Sequence, residues 1–214
     1  MRRNRPIPFK NKIKFAIIVD GDCESWYFQM LRRNERDINV DLKPEIPQNK
    51  KLKEQFEKVV ELSKHYDKVF WVVDYDVINS ESSLAKKGTE TASQEFKKYV
   101  TQIKKKYHNV ILIINNPCLE FWLLLHFEMT SRYYDTCDGA LKQLKKYLPD
   151  YEKTSKYFTK QDHDIYLKLK PKLKNAIENA SKLKAFDLDN PKTAMTQMQL
   201  LFETDELKSV VNTK

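Results

Sequence analysis

Residues 68–78 read KVFWVVDYDVI, and residues 14–28 read KFAIIVDGDCESWYF. Each opens as a short run of β-branched and aromatic residues without a breaker, and each run ends in acids. A continuous apolar run of this length suits a strand buried on both faces, as in a parallel sheet. The first run passes into Gly21, a turn signal, and then into a helical stretch over Ser25 to Arg33. The other is preceded by apolar residues at helical spacing, Leu52, Phe56, Val59 and Val60, and it delivers Asp74 and Asp76.

Outward from these two runs the alternation continues. Residues 38–47 read as a further strand, confined to an edge or cut short by Pro44 and Pro47. Phe96, Tyr99, Val100, Ile103 and Tyr107 mark an amphipathic helix, and Val110 to Ile114 another buried strand. Strands alternating with helices predict an α/β fold with a mostly parallel sheet flanked by helices. Asn116 and Pro117 read as the N-cap and first residue of a helix over LEFWLLLHF, apolar almost all round and therefore buried. Beyond it the strand pattern stops. Leu141, Leu144 and Leu148 predict one helix, Leu173, Ala176, Ile177, Ala180 and Leu183 another, and Ala194 to Phe202 a last one opened by NPKT. Pro171 breaks or starts a helix within 164–184. The expected division is an α/β domain over residues 1–130 and a helical C-terminal region over 131–214 packed on it.

The 214 residues suffice for a substantial core. The net charge of +9 favours a nucleic-acid partner, because lysine and arginine displace counterions from phosphate backbones. The longest apolar run, FWLLLHF, is far short of the roughly 20 residues that cross a bilayer, so no membrane is expected. Only FAIIV follows the basic opening before Asp20, so a secretory signal is not expected and a cytoplasmic location is. Cys23, Cys118 and Cys137 show no zinc spacing, and an odd number cannot form a closed disulfide set; reduced thiols are expected. With only Gly21, Gly88 and Gly139 in the chain, a phosphate-binding glycine loop is excluded, and no GxSxG elbow occurs.

The acids carry the chemistry. In a parallel sheet the carboxyl ends of the strands lie along one edge, where ligands bind. If the strands ending at Asp20 and Asp74 are neighbours, three or four carboxylates converge. In an extended backbone Asp74 and Asp76 would share a face about 7 Å apart, and a hard divalent cation fits between such groups. Such an ion activates water and stabilises a leaving oxygen in phosphodiester cleavage. The competing reading is that strand-end acids merely cap helices or start turns. Glu24 lies close enough to join the cluster, or serves as a first-turn acid beside the helix dipole; Asp22 reads mainly as a turn residue. Glu120, in so apolar a helix, needs a partner such as a metal or a lysine. His126 reads as a core histidine rather than a base. Lysines interleave with Tyr133, Tyr134, Tyr147, Tyr151, Tyr157 and Phe158, the composition of a base-stacking surface, though core packing explains these aromatics equally well.

IIVDGDCESWYF, VVDYD and especially NPCLEFWLLLHF resemble the signature of the RloB-like proteins, described as abortive-infection phage-resistance proteins. The resemblance extends weakly into LPDYEKTSKYF, IENASKL and NPKTAMTQMQLLF. It implies a Toprim-like, Rossmann-like module that uses magnesium, or manganese in its place, for phosphoryl transfer on DNA or RNA. On that resemblance Asp20 takes the place of the acid after the first strand, Asp74 and Asp76 form the DxD, Glu24 is the second acid, and Glu120 matches the acid of the NPxxExWLLxHF block. Asp20, Glu24, Asp74 and Asp76 are then the expected metal ligands, and Glu120 completes the catalytic set. The resemblance also implies a phage-defence setting and an AAA-type ATPase partner.

One position departs from that pattern. The usual first acid is a glutamate, and Asp20 is shorter by a methylene, which bears on catalysis more than on metal binding. The departure favours a rival reading, a non-catalytic subunit that binds nucleic acid or the ATPase. A sugar-nucleotide transferase using the DxD fits less well, because its donor does not call for so basic a chain. Substrate specificity, trigger and oligomeric state are not written in these motifs.

Overall fold

The computed structural model describes residues 13–36, 40–45 and 51–212. β1 (Ile13–Ile18) leads into α1 (Asp22–Asn34), β2 (Val40–Glu45), α2 (Leu52–Leu62) and β3 (Lys68–Asp74). There follow α3 (Tyr75–Ser83), α4 (Ala92–Lys106), β4 (Val110–Asn116) and α5 (Leu119–Leu125). The second half contains α6 (Cys137–Leu144), α7 (Ser155–Thr159), α8 (Ile165–Leu169), α9 (Leu173–Ser181), β5 (Met195–Thr196), α10 (Gln199–Phe202) and α11 (Lys208–Asn212). The β2 reading over 38–47 matches Val40–Glu45; positions 38, 39, 46 and 47 lie outside the described residues, as do residues 1–12.

The sheet has the order β2-β1-β3-β4-β5. β1 pairs with β2 and β3, and β3 with β4, all in parallel; only the short β5 runs antiparallel, against the end of β4. The chain is thus a mostly parallel, Rossmann-like α/β sheet flanked by helices, as the alternating pattern predicts. Strand periodicity sorts the core into two faces. Phe15, Ile17, Val19, Phe70, Val72 and Ile113 pack with α1, α5 and the C-terminal helices. Ala16, Ile18, Val69, Trp71, Val73 and Ile114 pack with α2 and α4. Because α1 and α2 cover opposite faces, the sheet winds both ways from β1, and the switch point lies between β1 and β3. Crevices at such a point, outside the carboxyl ends of the strands, are where ligands bind in doubly wound sheets.

Several local expectations are corrected. The strand over 68–74 ends at Asp74, which N-caps α3, so Asp76 sits in a first helical turn and not on the same extended face as Asp74. No helical signal stood out in YDVINSESS, whose apolar face is only Tyr75 and Ile78. Asn116 is still strand, paired with Met195, and its amide donates to the carbonyls of Pro191 and Thr193; α5 therefore begins later, with Cys118 as N-cap. The expected last helix is split. Met195–Thr196 adds to the edge of β4, and Gln197 exchanges bonds with Ile114 through its backbone N–H and its side-chain oxygen. An open strand edge offers hydrogen-bonding groups that outcompete helix formation in so short a segment. Pro171 lies in a 3-10 turn between α8 and α9, as the breaker reading requires.

Tyr134, Tyr151, Tyr157 and Phe158 are core residues, whereas Tyr147 is exposed and stacks on Phe127. Most of the aromatics between the lysines thus pack inward. Cys118 and Cys137 form a disulfide, correcting the reduced-thiol expectation for that pair, and Cys23 is free. The odd count left open which thiols pair, and residues 19 apart are joined only once α5 and α6 pack together. No helix among the described residues is long and apolar enough to cross a membrane.

Candidate functional site: an acidic cavity at the switch point

β1 and β3 pair with Ile18 opposite Trp71, so Asp20 lies level with Val73, one residue before Asp74. The neighbouring strands that the sequence argument assumed are therefore present. Asp20, Asp22, Glu24 and Asp74 line one cavity of about 450 Å³, together with Gly21, Cys23, Trp26, Lys51, Val77, Glu81 and Lys153.

Glu24 is 5 % exposed, at the start of α1. Its carboxylate folds back over Gly21 so closely that a Cβ at that position would stand 2.1 Å from Oε2. Gly21 is thus a space-making residue, and its ordinary extended φ of −128° shows that backbone freedom is not the reason. Burial, then the neighbouring Asp20 charge, pushes the Glu24 carboxyl up to about 8, against the pull of its own backbone N–H.

Asp74 is held from two sides. Oδ1 accepts from the Asn115 amide at 3.1 Å and Oδ2 from the Leu119 backbone N–H at 3.1 Å. Asn115 is itself fixed, because its Oδ1 accepts from the Thr196 hydroxyl at 2.7 Å, which gives β5 a role in the site. Burial, followed by the charges of Glu24, Asp20 and Glu120, raises the Asp74 carboxyl well above the ordinary range. Asp76 does not line the cavity wall; its Oδ2 accepts from the Cys137 N–H at 3.1 Å. Burial raises its carboxyl despite that bond, with Glu120 adding to the rise and Lys153 opposing it. Its carboxylate also lies within 4.8 Å of the Cys118 and Cys137 sulfurs. As a disulfide those sulfurs are not thiolate ligands.

Glu120 is 1 % exposed. Oε1 accepts from the Tyr151 hydroxyl at 2.8 Å and is paired with the Lys153 ammonium at 2.8 Å. The partner that a buried carboxylate required is thus a lysine and a tyrosine from the C-terminal half. From sequence, a metal or an unspecified lysine is expected beside Glu120; the lysine is Lys153. LPDYEK holds both this lysine and the tyrosine, two residues apart, but nothing local marks a loop that reaches a cavity whose acids begin as far back as Asp20. Trp26, half-buried at the cavity wall and packed on Phe158, was likewise missed.

Burial and the charges of Glu24 and Glu120 push the Cys23 thiol up to about 12, which disfavours the thiolate. His126 is buried, its Nδ1 bonded to the Trp122 carbonyl, and burial lowers its pKa to about 4; it is a neutral core histidine, but only half satisfied, since the buried Nε2 has no hydrogen-bond partner.

Asp20, Glu24 and Asp74 thus converge on one cavity, Glu120 is coupled to them electrostatically, and Asp76 is anchored to α6. The donors are carboxylate oxygens, the ligand class of hard divalent cations. Like-charged carboxyls in a buried site are relieved by a proton or by a cation. Among the described residues the one trio of ligand atoms within 4.8 Å of one another is Asp76, Cys118 and Cys137, so Asp20, Glu24 and Asp74 share a cavity without forming a closed ligand cage. No solved structure and no curated protein matches the chain. A family model described as RloB-like protein matches residues 15–204, from β1 through the segment after α10. With most of its length covered and its acidic cavity built from segments in both halves, the chain belongs to the RloB-like protein family.

Proposed function

We propose that the protein is a magnesium-dependent nuclease of the Toprim type, cleaving nucleic-acid phosphodiesters in anti-phage, abortive-infection defence. The observation that carries this reading is the convergence of Asp20, Glu24 and Asp74 on one cavity at the β1/β3 switch point of a chain with net charge +9. Asp20, Glu24 and Asp74 would hold the ion, with Asp76 and Glu120 adding negative charge beside them. When bound, the metal supplies an activated water and neutralises charge developing on the phosphodiester. The chain's own residues position that chemistry. Asn115 and the Leu119 N–H orient Asp74, Tyr151 and Lys153 orient Glu120, and Gly21 leaves room for Glu24. The defence setting and an AAA-type ATPase partner are parts of the proposal that rest on family membership.

A second reading, a non-catalytic subunit binding nucleic acid or that ATPase, is favoured by the short arm of Asp20. Turnover separates the two. Purified protein is incubated with labelled single- and double-stranded DNA and RNA, with magnesium, manganese or chelator. The Asp74→Ala/Asp76→Ala variant and the milder Asp20→Asn variant are run beside it. Metal-dependent cleavage by the wild type and its loss in both variants is the expected result. Cleavage unchanged in the variants, or cleavage in chelator, refutes the assignment. Asp20→Asn is included because Asp74 also ties Asn115 and α5 into the core, so its removal risks the fold.

A further inference from the structure

We infer that Lys153, delivered from the C-terminal half, is the residue that contacts a backbone phosphate of the nucleic acid in the acidic cavity. The inference deepens the nuclease reading and rests on it for the identity of the ligand.

Phosphodiesters are anions, and the cavity presents a wall of carboxylates. Any approach of the backbone needs protein cations there as well as metal. Among the described residues lining the cavity the cations are Lys51 and Lys153. Lys51, exposed at the start of α2, is bonded through its backbone to that helix, and no acid of the cluster is paired with it. Lys153 touches the cluster directly: its ammonium lies 2.8 Å from Glu120 Oε1 and 3.3 Å from Cys137 Sγ.

Its placement is built. Tyr151, 1 % exposed, packs edge-on against Tyr157 and Phe158 and bonds Glu120 through its hydroxyl. Thr154 caps α7, its hydroxyl accepting from the Tyr157 N–H. Lys153 is therefore held between a buried anchor and a helix cap, so the ordering of its backbone is already complete before a ligand arrives. Arg33, Lys68 and Lys170, which also pair with shielded acids, are 36, 30 and 27 % exposed, and Lys153 is more open than any of the three. The Lys153 side chain is 45 % exposed, while that of Glu120 is 2 % exposed, so several of its N–H donors remain available on the cavity side. The ammonium stays paired with Glu120 Oε1, and its remaining N–H donors are those a phosphate would take.

The test is the salt dependence of binding. A fluorescently labelled oligonucleotide, single- and double-stranded, is titrated with full-length protein by anisotropy. Calcium replaces magnesium, and potassium chloride is varied. Wild type, Lys153→Met, Lys153→Met/Glu120→Gln and Lys153→Arg are compared, with thermal melting of each. Loss of one phosphate contact lowers the slope of log K against log salt by about 0.7 to 0.9. Lys153→Met is expected to show that drop together with a lowered melting temperature, because Glu120 loses its cation. Lys153→Met combined with Glu120→Gln is expected to recover the melting temperature and keep the drop, and Lys153→Arg to restore the slope. In turnover with manganese, Lys153→Met is expected to lose about 10²- to 10³-fold in single-turnover rate, the loss typical of one positioned donor. An unchanged slope overturns the inference, as does a slope change that appears only with a lowered melting temperature and is not rescued by arginine. If the wild type binds but cleaves nothing, the nuclease reading falls, while the slope still decides the role of Lys153.

Discussion

Replacing Glu24 by glutamine should make the metal-free protein more stable at alkaline pH, and the size of the gain follows from where the carboxyl sits. Glu24 is almost fully buried beside Asp20, and its pKa is raised from 4.5 to about 8. The folded state therefore holds a proton that the unfolded chain releases between pH 4.5 and 8. Stability falls with rising pH wherever the native state binds more protons. The contribution of this group is thus full below pH 4.5, declines through the window and is lost above about 8. At about 1.4 kcal/mol per pH unit, the ceiling on that decline is about 5 kcal/mol, a large share of the roughly 5–15 kcal/mol that holds a domain together. Asp74, raised in the same direction by burial and by Glu24 itself, widens the wild-type descent and is partly released in the variant, so the two effects add in sign. Glutamine has the same shape and no charge. Urea unfolding in chelator at pH 5, 7 and 8.5 should give similar stabilities for wild type and Glu24→Gln at pH 5, and a variant several kcal/mol more stable at pH 8.5. Parallel pH profiles would show that the carboxyl is solvated or paired, and the like-charge account of the cavity would fail.

Two further outcomes check other parts of the construction. Gly21→Ala places a methyl group where the Glu24 carboxylate lies; the clash is with the end of a flexible side chain, so the fold should persist while Glu24 is displaced. Manganese affinity measured by calorimetry should then fall about 10- to 100-fold, as when a ligand's support is removed, and an unchanged affinity would take Glu24 out of the ligand set. The Cys118–Cys137 bridge spans a separation of 19 residues, a loop whose closure contributes about 3 kcal/mol in the chain-entropy account. Urea unfolding after reduction with a dithiol should show a loss of that order, and equal stability in both states would mean that the bridge adds nothing to packing already present.

The parts of this fold legible in the sequence are those where one period dominates. KFAIIV and KVFWVV are too apolar for a half-solvated strand, and their burial on both faces follows. The order of the strands was an assumption, but the acids at their ends made β1 next to β3 the arrangement worth assuming. YDVINSESS and the 190s segment were misread because their state is set by tertiary context. α3 forms on a weak apolar face because tertiary contacts hold its first turn: the Asp76 N–H donates to the Pro117 carbonyl and its carboxylate accepts from the Cys137 N–H. Met195 and Thr196 pair with β4 although Ala194, Met198, Leu201 and Phe202 fall at helical spacing. At the site, Asp20, Glu24, Asp74 and Glu120 could be singled out because acids at strand ends or in an apolar helix demand a reason. Lys153 could not, because a lysine in a lysine-rich chain carries no such signal.

The near-total apolarity of LEFWLLLHF has a functional consequence that hydrophobic burial alone does not supply. All seven residues of α5 are buried, Glu120 included, because the helix is covered by the sheet on one side and by α6 and α9 on others. Its first N–H holds Asp74, its N-cap Cys118 is bonded to α6, Glu120 meets Tyr151 and Lys153, and the carbonyl of Leu125 accepts from Asn179 in α9. This helix thus ties the Asp74 carboxylate to Lys153 and the C-terminal half, beside the direct bond of Asp76 to the Cys137 N–H. A buried acid in such a helix is tolerated only while its partners are in place, since an unpaired buried charge costs several kcal/mol. The C-terminal half therefore acts on the site as the source of the compensating charge for Glu120, and its packing and the electrostatic state of the cavity are coupled through that residue.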